Sequence, residues 1–475
     1  MPAGNHKVGL KFLSKNGKRM IMEQMFILGL VLSLVNSGSC SGHRLQPHII
    51  LVVLRDLGWD DVSFHGNAEI PTPNIDRIAN HGVILQDYYV TPRCEDSVSA
   101  LKTGKHPINY RPGQQFSYDM WNYLDIQQYV IREAGMIDCS DTPIPFYPWD
   151  AVREAEYILR DHDQYYPLFL QVNFPQMRAD YPGQVPPEYL ARAANIMSEP
   201  RQVFAGMVME LDKAVGHLVR LLYDTKILHD AIVFFTTLTG ATQNNNIYTY
   251  PSNYPLKGGN GTMWEGGSRA LGFVYSNRIT QKARVTHGLV HITDWLPTFF
   301  SLAGGNPQHI VEGDGFDVWN LIDSEAPSPR NDILYGIYGD RGAVRVADHK
   351  VIVKEKSVMF YLQRRNKQGP NAPTTVWDAE LQCSVTNVSI GCWPEVEPCL
   401  FNVRQDPCEM NNLAYYYPDL VKTMLYTLNK YNDTAKYKNR KRRSVTETTL
   451  YQETVAHLDK SVKKRERMRR TSIKP

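Results

Sequence analysis

The sequence predicts an α/β protein with a large mixed, mostly parallel β-sheet flanked by helices, followed by a smaller antiparallel sheet with one helix. The apolar runs 48–54, 167–172 and 231–237 are short and uninterrupted by charge, which is typical of parallel strands buried on both faces. Segments with helical periodicity, among them 75–82 and 203–223, separate these runs. The 475 residues, of which 43% are hydrophobic, are enough to bury a large core.

The first buried strand, 48–54, ends abruptly in Arg55 and Asp56. Polar groups just past the carboxyl end of such a strand lie where open α/β sheets build their sites. Asp56 therefore stands where a metal or an anion could be held. Considered alone, the same carboxylate fits a cap on the next turn equally well.

The next elements place Cys94 at the start of a helix. Thr72-Pro73 opens a helix over 75–82, which Gly82 closes, and a second strand is predicted over 83–90. Cys94 then lies at a strand-to-helix turn, before a helix over 97–104. The N-terminus of such a helix offers unpaired N–H groups to an anion.

The rest of the chain alternates in the same way before its pattern changes near Asp332. The periodicity predicts helices over 124–134, 151–160 and 291–303. From about Asp332, strand-like segments such as 343–346 and 350–354 dominate, and a last helix is predicted over 420–431. These segments predict the smaller antiparallel sheet with its terminal helix.

Several segments of the chain resemble the sulfatase family, and within it most closely the arylsulfatase B-like members. They are 47–94 with the following LKTGK, 205–222, YPLKGGNGTMWEGGSRALGFVYS at 254–276, HITDWLPTFFSLAGG at 291–305, and PCLFNVRQDPCEMNNLA at 398–414. The resemblance implies an alkaline-phosphatase/sulfatase-like fold. It divides the chain into a signal peptide (1–42), a sulfatase-like α/β domain (47–330), a C-terminal subdomain (331–435) and a basic, disordered tail (436–475).

The resemblance also implies a chemistry, and this chain departs from it. In the family, a cysteine is converted to a formylglycine whose hydrate attacks sulfur, and two adjacent aspartates with a later Asp-Asn pair hold calcium. The corresponding residues here are Cys94, Arg55-Asp56 and Leu238-Thr239. The maturation signature C-x-P-x-R is lost, because Asp96 replaces its proline and Val98 its arginine. Asp56 is thus the only surviving metal-ligand position, and one carboxylate does not satisfy calcium, which takes six to eight oxygens.

The substrate contacts of the family are altered too. The block with the motif G-K-W-H-L-G is missing, so that the domain is shortened near 139–145. Arg178 aligns with a family histidine and Asn260 with a family lysine. These changes predict a catalytically inactive homologue that needs no cofactor.

Two alternatives remain. One is an active, calcium-dependent sulfuric ester hydrolase of the arylsulfatase type, whose metal site uses Asp60, Asp61 or Asp96. The other is a truncated gene product that folds poorly.

An inactive homologue is expected to bind something. Arg55, Arg93 and Arg178 would make the former sulfate pocket attractive to an anion such as a sulfated glycan or another polyanion. The competing interpretation is that these arginines pair with carboxylates nearby in the sequence: Glu95, Asp96 and Asp180. No nucleic acid partner is expected.

The N-terminus predicts entry into the secretory pathway, and hence an extracellular or lysosomal destination. Basic residues precede the apolar run 25–35, which is too short to span a bilayer, and small residues follow it. An uncleaved signal-anchor is the alternative, and no later apolar stretch is long enough for a transmembrane helix. Asn260, Asn387 and Asn432 begin N-glycosylation sequons, which have meaning only in a secreted chain.

The cysteines fit an oxidising compartment. Cys40 belongs to the signal region, and four others lie close together, so that two disulfides are expected with three pairings open: Cys383, Cys392, Cys399 and Cys408. A zinc site competes poorly, because the spacings are wide and no histidine interleaves. Cys94 and Cys139 remain, either as free thiols or as a pair.

The formal net charge of +3 hides an uneven distribution. The segment 436–475 contains 14 Lys+Arg and 4 Asp+Glu, a net of +10, so the body keeps 52 − 14 = 38 basic and 49 − 4 = 45 acidic residues. The run Arg440-Lys441-Arg442-Arg443 matches a dibasic processing site. The tail therefore predicts either cleavage or contact with polyanions such as heparin-like polymers, against a simpler interpretation as solvated chain.

Overall fold

The computed structural model describes residues 46–110, 119–139, 146–177, 185–196, 198–242, 251–310, 313–358, 379–381, 383 and 391–435. Its strands are β1 (His48–Leu54), β2 (Val83–Leu85), β3 (Tyr88–Tyr89), β4 (Val130–Ala134), β5 (Leu168–Asn173), β6 (Ala231–Thr237), β7 (Gly272–Ser276), β8 (Arg284–Thr286), β9 (Val290–His291), β10 (Asp332–Tyr338), β11 (Arg341–Val346), β12 (His349–Val353) and β13 (Cys399–Asn402). Its α-helices are α1 (Pro73–His81), α2 (Cys94–Thr103), α3 (Met120–Ile126), α4 (Pro148–Asp161), α5 (Pro187–Arg192), α6 (Glu199–Asp224), α7 (Glu265–Ser268), α8 (Trp295–Leu302), α9 (Trp319–Ser324) and α10 (Pro418–Thr434).

The central sheet has seven strands in the order β4-β5-β1-β6-β7-β2-β8. Strand β7 runs antiparallel to both of its neighbours, and the other neighbouring pairs are parallel. Strand β1 lies between β5 and β6, and all of its residues are buried. The predicted fold class, a large mixed and mostly parallel sheet, is therefore confirmed.

The two faces of the sheet support separate hydrophobic clusters. Because successive side chains of a strand point to opposite faces, Ile50 and Val52 belong to one cluster and Ile49 and Leu51 to the other. Helix α6 covers the first face and packs against α1, α4 and α5. Helix α8 covers the second face with aromatic residues.

The strand register brings three strand ends together. Val53 of β1 pairs with Asn173 of β5, and Leu54 pairs with Thr237 of β6. The residues that follow, including Arg55 and Leu238, therefore lie side by side at the carboxyl edge of the sheet. This is the edge at which open α/β sheets place their sites.

The helix expected over 124–134 is wrong. Helix α3 ends at Ile126, the turn at Gln128 adopts a left-handed conformation (φ 63°), and β4 follows as an edge strand of the sheet. Pairing with β5 outweighs the helical propensity of Arg132 to Ala134, as tertiary context often does. The expected strand over 83–90 is also interrupted, because β2 ends at Leu85 and β3 pairs separately with β9.

The smaller C-terminal sheet is antiparallel in the order β10-β11-β12-β13. One face packs against α10 through Val344, Val351, Val421 and Leu425. The predicted antiparallel sheet with a terminal helix is thus confirmed, whereas the domain boundary at 330/331 stays a prediction.

Several predictions lie outside the described residues: the signal peptide 1–42, the tail 436–475, Arg178 and the sequon at Asn387. Within the described ranges, none of the helices combines the length and the apolar character needed to cross a membrane.

Candidate active site

Asp56 is buried at the end of β1 and makes several polar contacts. Its exposed fraction is 2%, and its backbone has a φ of 59°, which is uncommon for a residue other than glycine. Its carboxylate accepts hydrogen bonds from the Thr242 hydroxyl at 3.0 Å and from the Gln176 side-chain amide. The Nε atom of Arg55 lies 3.6 Å from the same carboxylate. Neutral donors and a guanidinium therefore surround the oxygens of Asp56.

Arg55 is turned inward and holds a neighbouring segment. Its exposed fraction is 5%, and its Nη1 atom donates a hydrogen bond to the carbonyl oxygen of Asp138 at 2.7 Å. Together with the contact to Asp56, this bond fixes the segment that follows β4 over the end of β1. A fixed positive charge so close to Asp56 repels a divalent cation.

Leu238 continues β6 into the same edge. Its backbone N–H donates to the carbonyl oxygen of Leu54 at 3.0 Å, and its apolar side chain is buried. Thr239 is buried beside it. A leucine side chain offers no oxygen to a metal, so Leu238 supplies no side-chain ligand.

Cys94 is the first residue of α2 and forms a disulfide with Cys139, with a Cα–Cα distance of 5.6 Å. Of the two interpretations that the sequence left open, the pair is correct. Cys94 therefore has no free thiol for conversion to a formylglycine. Arg55, Asp56, Leu238 and the Cys94–Cys139 disulfide are together called the strand-end corner below.

The other described cysteines form two further disulfides. Cys383 is bonded to Cys408 and Cys392 to Cys399. This selects one of the three pairings that the sequence allowed, and it confirms the expectation of disulfides rather than a zinc site.

The alternative metal ligands are engaged with the protein. Asp61 is fully buried, and its carboxylate pairs with Nη1 of Arg201 at 2.6 Å. Asp60 accepts a hydrogen bond from the Ser252 hydroxyl at 3.1 Å. Among the described residues, no group of three or more histidine, cysteine, aspartate or glutamate side chains is arranged to hold a metal ion. The residues at this edge do not fit a calcium ion.

Arg93 and Asp96 flank Cys94 in the sequence, and both contact Tyr338. Asp96 accepts a hydrogen bond from the Tyr338 hydroxyl at 3.0 Å, and burial raises the pKa of its carboxyl. Arg93 is exposed, with its guanidinium 5.1 Å from the centre of the Tyr338 ring. The positive charge of Arg93 also acts on Asp96. Of the three predicted anion-binding arginines, Arg93 is exposed, Arg55 is buried, and Arg178 is outside the described residues.

A cavity of about 280 Å³ opens at the carboxyl ends of β1 and β5. Arg55 is the one basic residue among its described lining residues, and three carboxylates also line it: Asp138, Asp150 and Glu154. Apolar contributions include Phe174 and Leu238. This balance of charge disfavours a sulfate ester inside the cavity.

Asn260 lies between two parts of the same edge. Its backbone N–H donates to the carbonyl oxygen of Ala241 at 3.0 Å, and the N–H of Gly261 donates to Pro92 at 2.7 Å. Ala241 follows the end of β6, and Pro92 precedes Cys94 by two residues. These two bonds tie Asn260 to the segments that lead to Thr239 and to Cys94.

Sequence reasoning missed a buried set of charges beside the W-E-G-G segment. Glu265 accepts hydrogen bonds from Lys350 Nζ at 3.0 Å and from the hydroxyl groups of Tyr89 and Tyr335. Lys350 also lies 2.8 Å from Glu409. Three acidic and three basic residues make up this set, called the Glu265 network below: Asp87, Glu265, Glu409, Arg269, Arg345 and Lys350.

One sequence signal could have found the network. Arg345 stands between two valines of β11, and Lys350 lies opposite it in β12. A cation on the inward face of a strand requires a buried acidic partner, since an unpaired charge is costly. No comparable signal identifies Glu409 as that partner.

Comparison with known proteins gives a consistent set of relatives. The profile of the Sulfatase family matches residues 47–132 and 151–305. Mouse arylsulfatase J is 30% identical over 82% of this chain and 76% of its own length. Bovine arylsulfatase A is 27% identical over 77% of this chain and 83% of its own length.

Solved structures share the fold. The structure of Ps i-CgsB in complex with k-i-k-neocarrahexaose has a TM-score of 0.63 at 20% identity, covering 86% of this chain and 97% of that one. The PsFucS1 sulfatase from Pseudoalteromonas sp. has a TM-score of 0.62 at 21% identity, covering 82% and 91%. The segment 133–150, between the two ranges matched by the family profile, contains the position where the sequence predicts a shortening.

Proposed function

The chain belongs to the sulfatase family, and we propose that within it the protein is a secreted homologue that does not hydrolyse sulfate esters. The observation that carries this proposal is the Cys94–Cys139 disulfide. The family nucleophile arises by oxidation of a free cysteine at this position, and a sulfur in a disulfide is not a substrate for that oxidation. The loss of the maturation signature at Asp96 and Val98 supports the same conclusion.

The surroundings of Asp56 support it independently. A sulfate ester resists attack while it keeps its negative charge, so catalysis needs cations that withdraw this charge. Here Arg55 offsets Asp56 and binds the Asp138 carbonyl, and Leu238 supplies no ligand. Removal of one such stabilising contact typically slows a reaction by about 10²–10³-fold, and several are missing in this chain.

The test is a turnover assay joined to a mass analysis. Purified, secreted protein is incubated with a small panel of aryl sulfates and sulfated sugars in the presence of calcium or magnesium, beside a Cys94→Ala control. We expect equal, background rates for both proteins, and we expect the Cys94 peptide to be recovered linked to the Cys139 peptide. Turnover above the control, or formylglycine at position 94, would establish the active calcium-dependent hydrolase instead.

A second candidate function is the binding of sulfated glycans or other polyanions. Arg93 supports it, because it is exposed at the rim of the strand-end corner and stacks on Tyr338. The buried position of Arg55 and the acidic cavity lining confine this proposal to the outer surface and the basic tail. Heparin retention of the wild type, of Arg93→Ala and of a variant lacking 436–475 decides it. Equal retention of all three would show that neither region binds the polymer.

A further inference from the structure

The loop at 258–262 presents a glycosylation sequon at the edge of the strand-end corner. The backbone of Asn260 is fixed by its hydrogen bond to Ala241, and that of Gly261 by its bond to Pro92. One residue lies between Ala241 and Thr239, and one lies between Pro92 and Cys94. Since consecutive Cα atoms are about 3.8 Å apart, Asn260 is tied within a few residue lengths of both strand-end positions.

The same loop leaves room on its outer side. Asn260 is partly exposed and Gly261 is exposed. A Cβ atom placed on Gly261 would meet no heavy atom within 4 Å, although its φ of 83° favours glycine. The turn is closed by Thr262, whose hydroxyl donates to the carbonyl oxygen of Gly259 at 2.7 Å. The sequon thus combines a fixed backbone with open solvent beside it.

We infer that Asn260 carries an N-linked glycan that covers the strand-end corner. This inference rests on the secretory destination proposed above. In the modification, the Asn260 amide nitrogen loses a proton to a base and bonds to the anomeric carbon of an oligosaccharide. The polyprenyl diphosphate that carried the sugar leaves, and no net oxidation or reduction takes place. The acceptor is the Asn-X-Thr pattern of 260–262.

The glycan changes the entrance of the former active site in two ways. Its amide link leaves Asn260 without charge, whereas the resemblance places a lysine at this position. A bulky, hydrated oligosaccharide also occupies the space in front of the Pro92 and Ala241 segments. The strand-end corner, already blocked from inside by Arg55 and the disulfide, is then covered from outside.

Peptide mapping of secreted protein tests the modification. An amidase that removes N-glycans in heavy-oxygen water converts each glycosylated asparagine to a mass-tagged aspartate, so occupancy is read at Asn260 and Asn432 separately. We expect the tag on most Asn260 peptides. An unmodified Asn260 beside a modified Asn432 would overturn the inference while leaving secretion intact. Both sites unmodified would also overturn the inference, whereas the secretory premise fails only if the protein is not recovered from the culture medium.

A reduction assay tests the covering. Cys139 is partly exposed, so a bulky water-soluble phosphine reaches the Cys94–Cys139 disulfide only as fast as its surroundings allow. Asn260→Gln removes the glycan and keeps the Thr262 hydroxyl, and we expect the disulfide to be reduced several-fold faster in this variant. Asn432→Gln is the matched control on α10, and Thr262→Ser keeps the sequon, so both should react at the wild-type rate.

Equal reduction rates in Asn260→Gln and wild type would overturn the covering role. If Asn260→Gln is not secreted, enzymatic deglycosylation of folded wild-type protein replaces it. The same several-fold acceleration is then expected after deglycosylation, and its absence counts against the inference in the same way.

Discussion

The strand-end corner and the Glu265 network both contain buried charged groups, but they differ in how many charges are paired and in what surrounds them. In the corner, Arg55 faces Asp56 across 3.6 Å, an apolar Leu238 stands beside them, and a disulfide holds the adjoining segment. In the network, three acidic and three basic side chains lie fully or almost fully buried and share short contacts.

The difference separates catalysis from folding. The network connects the W-E-G-G segment to β12 and to Glu409 near the C-terminal sheet, so its charges hold the fold together whether or not a substrate is bound. The corner needs its family charges only for metal and sulfate. The proposed loss of catalysis would thus remove the need for the family charges of the corner, whereas folding still needs those of the network.

The largest effect on stability is expected from removal of Lys350, the cation that Glu265 and Glu409 share. Lys350→Met leaves the carboxylates of Glu265 and Glu409 buried without their common partner. Loss of one partner from a buried pair costs about 3–5 kcal/mol, and we expect this decrease in the free energy of unfolding in a denaturant titration. Arg220→Ala, which breaks the exposed Arg220–Asp224 pair on α6, is the control and should change the same free energy by about 0.5 kcal/mol or less. Similar effects of the two substitutions would show that the network has no special role.

Much of the fold could be predicted because strands that are buried on both faces have uninterrupted apolar sequences. The uncharged runs 48–54 and 231–237 match β1 and β6 residue for residue. The edge strand β4 was missed for a physical reason. It pairs on one side only and exposes Arg132 and Glu133. Its sequence therefore has neither the apolar run of a central strand nor the alternation of apolar and polar residues that marks a half-buried strand.

The sequence predicted which family residues the corner lacks, but it did not predict the contacts that the replacing residues make. The resemblance identified Arg55 and Leu238 as departures from family ligand positions, and it identified Cys94 as the family cysteine without its maturation signature. That Arg55 would bind the Asp138 carbonyl depends on the path of the chain after β4, which no local pattern encodes. The partner of Cys94 was open for the same reason, since disulfide connectivity follows from the fold.

The disulfide of the corner is the next largest expected effect. Cys94 and Cys139 are separated by 45 residues, whereas Cys392 and Cys399 are separated by 7. In the chain-entropy account, a longer closed loop gives more stabilisation. Replacement of both Cys94 and Cys139 by serine should therefore lower the free energy of unfolding by about 2–4 kcal/mol.

The Cys392→Ser, Cys399→Ser double variant provides the control for loop length. We expect a smaller loss than in the Cys94, Cys139 variant, measured by denaturant unfolding under identical conditions. An equal or larger loss in the control would mean that strain or denatured-state structure, rather than loop closure, sets the contribution of the corner disulfide.

A third prediction uses pH to separate the two regions. Burial, and the negative charge of Glu265, raise the pKa of Glu409 from 4.5 to about 7, although the positive charge of Lys350 opposes this rise. Between pH 4.5 and 7 the native protein thus binds more protons than the unfolded chain. The contribution of Glu409 to stability is complete below about pH 4.5 and is lost as the pH rises toward 7.

Glu409→Gln removes this dependence. The free energy of unfolding of the wild type, minus that of Glu409→Gln, should fall by about 3 kcal/mol between pH 4.5 and 7. Taking the difference cancels other titrating groups, such as the buried His65 and His106, whose pKa values burial lowers to about 3 and about 4. A difference for Glu409→Gln that does not change with pH would mean that another group of the network binds the proton.

The smallest expected effect is that of calcium on the melting temperature, and it tests whether the strand-end corner can bind a metal. A ligand that binds only the native state raises its melting temperature, by an amount equivalent to about 2.7 kcal/mol at one hundred times the dissociation constant. Because Arg55 and Leu238 do not fit a calcium site, the wild type should melt at the same temperature in calcium and in a chelator. The variant Arg55→Asp, Leu238→Asp, Thr239→Asn restores three family positions, which complete a set of four with Asp56, and it should gain a calcium-dependent rise in melting temperature. A rise in the wild type would instead mean that Asp60, Asp61 or Asp96 gives up its present partners to bind the ion. The corner would then be a rearranged metal site, and this result would support the alternative of an active, calcium-dependent hydrolase.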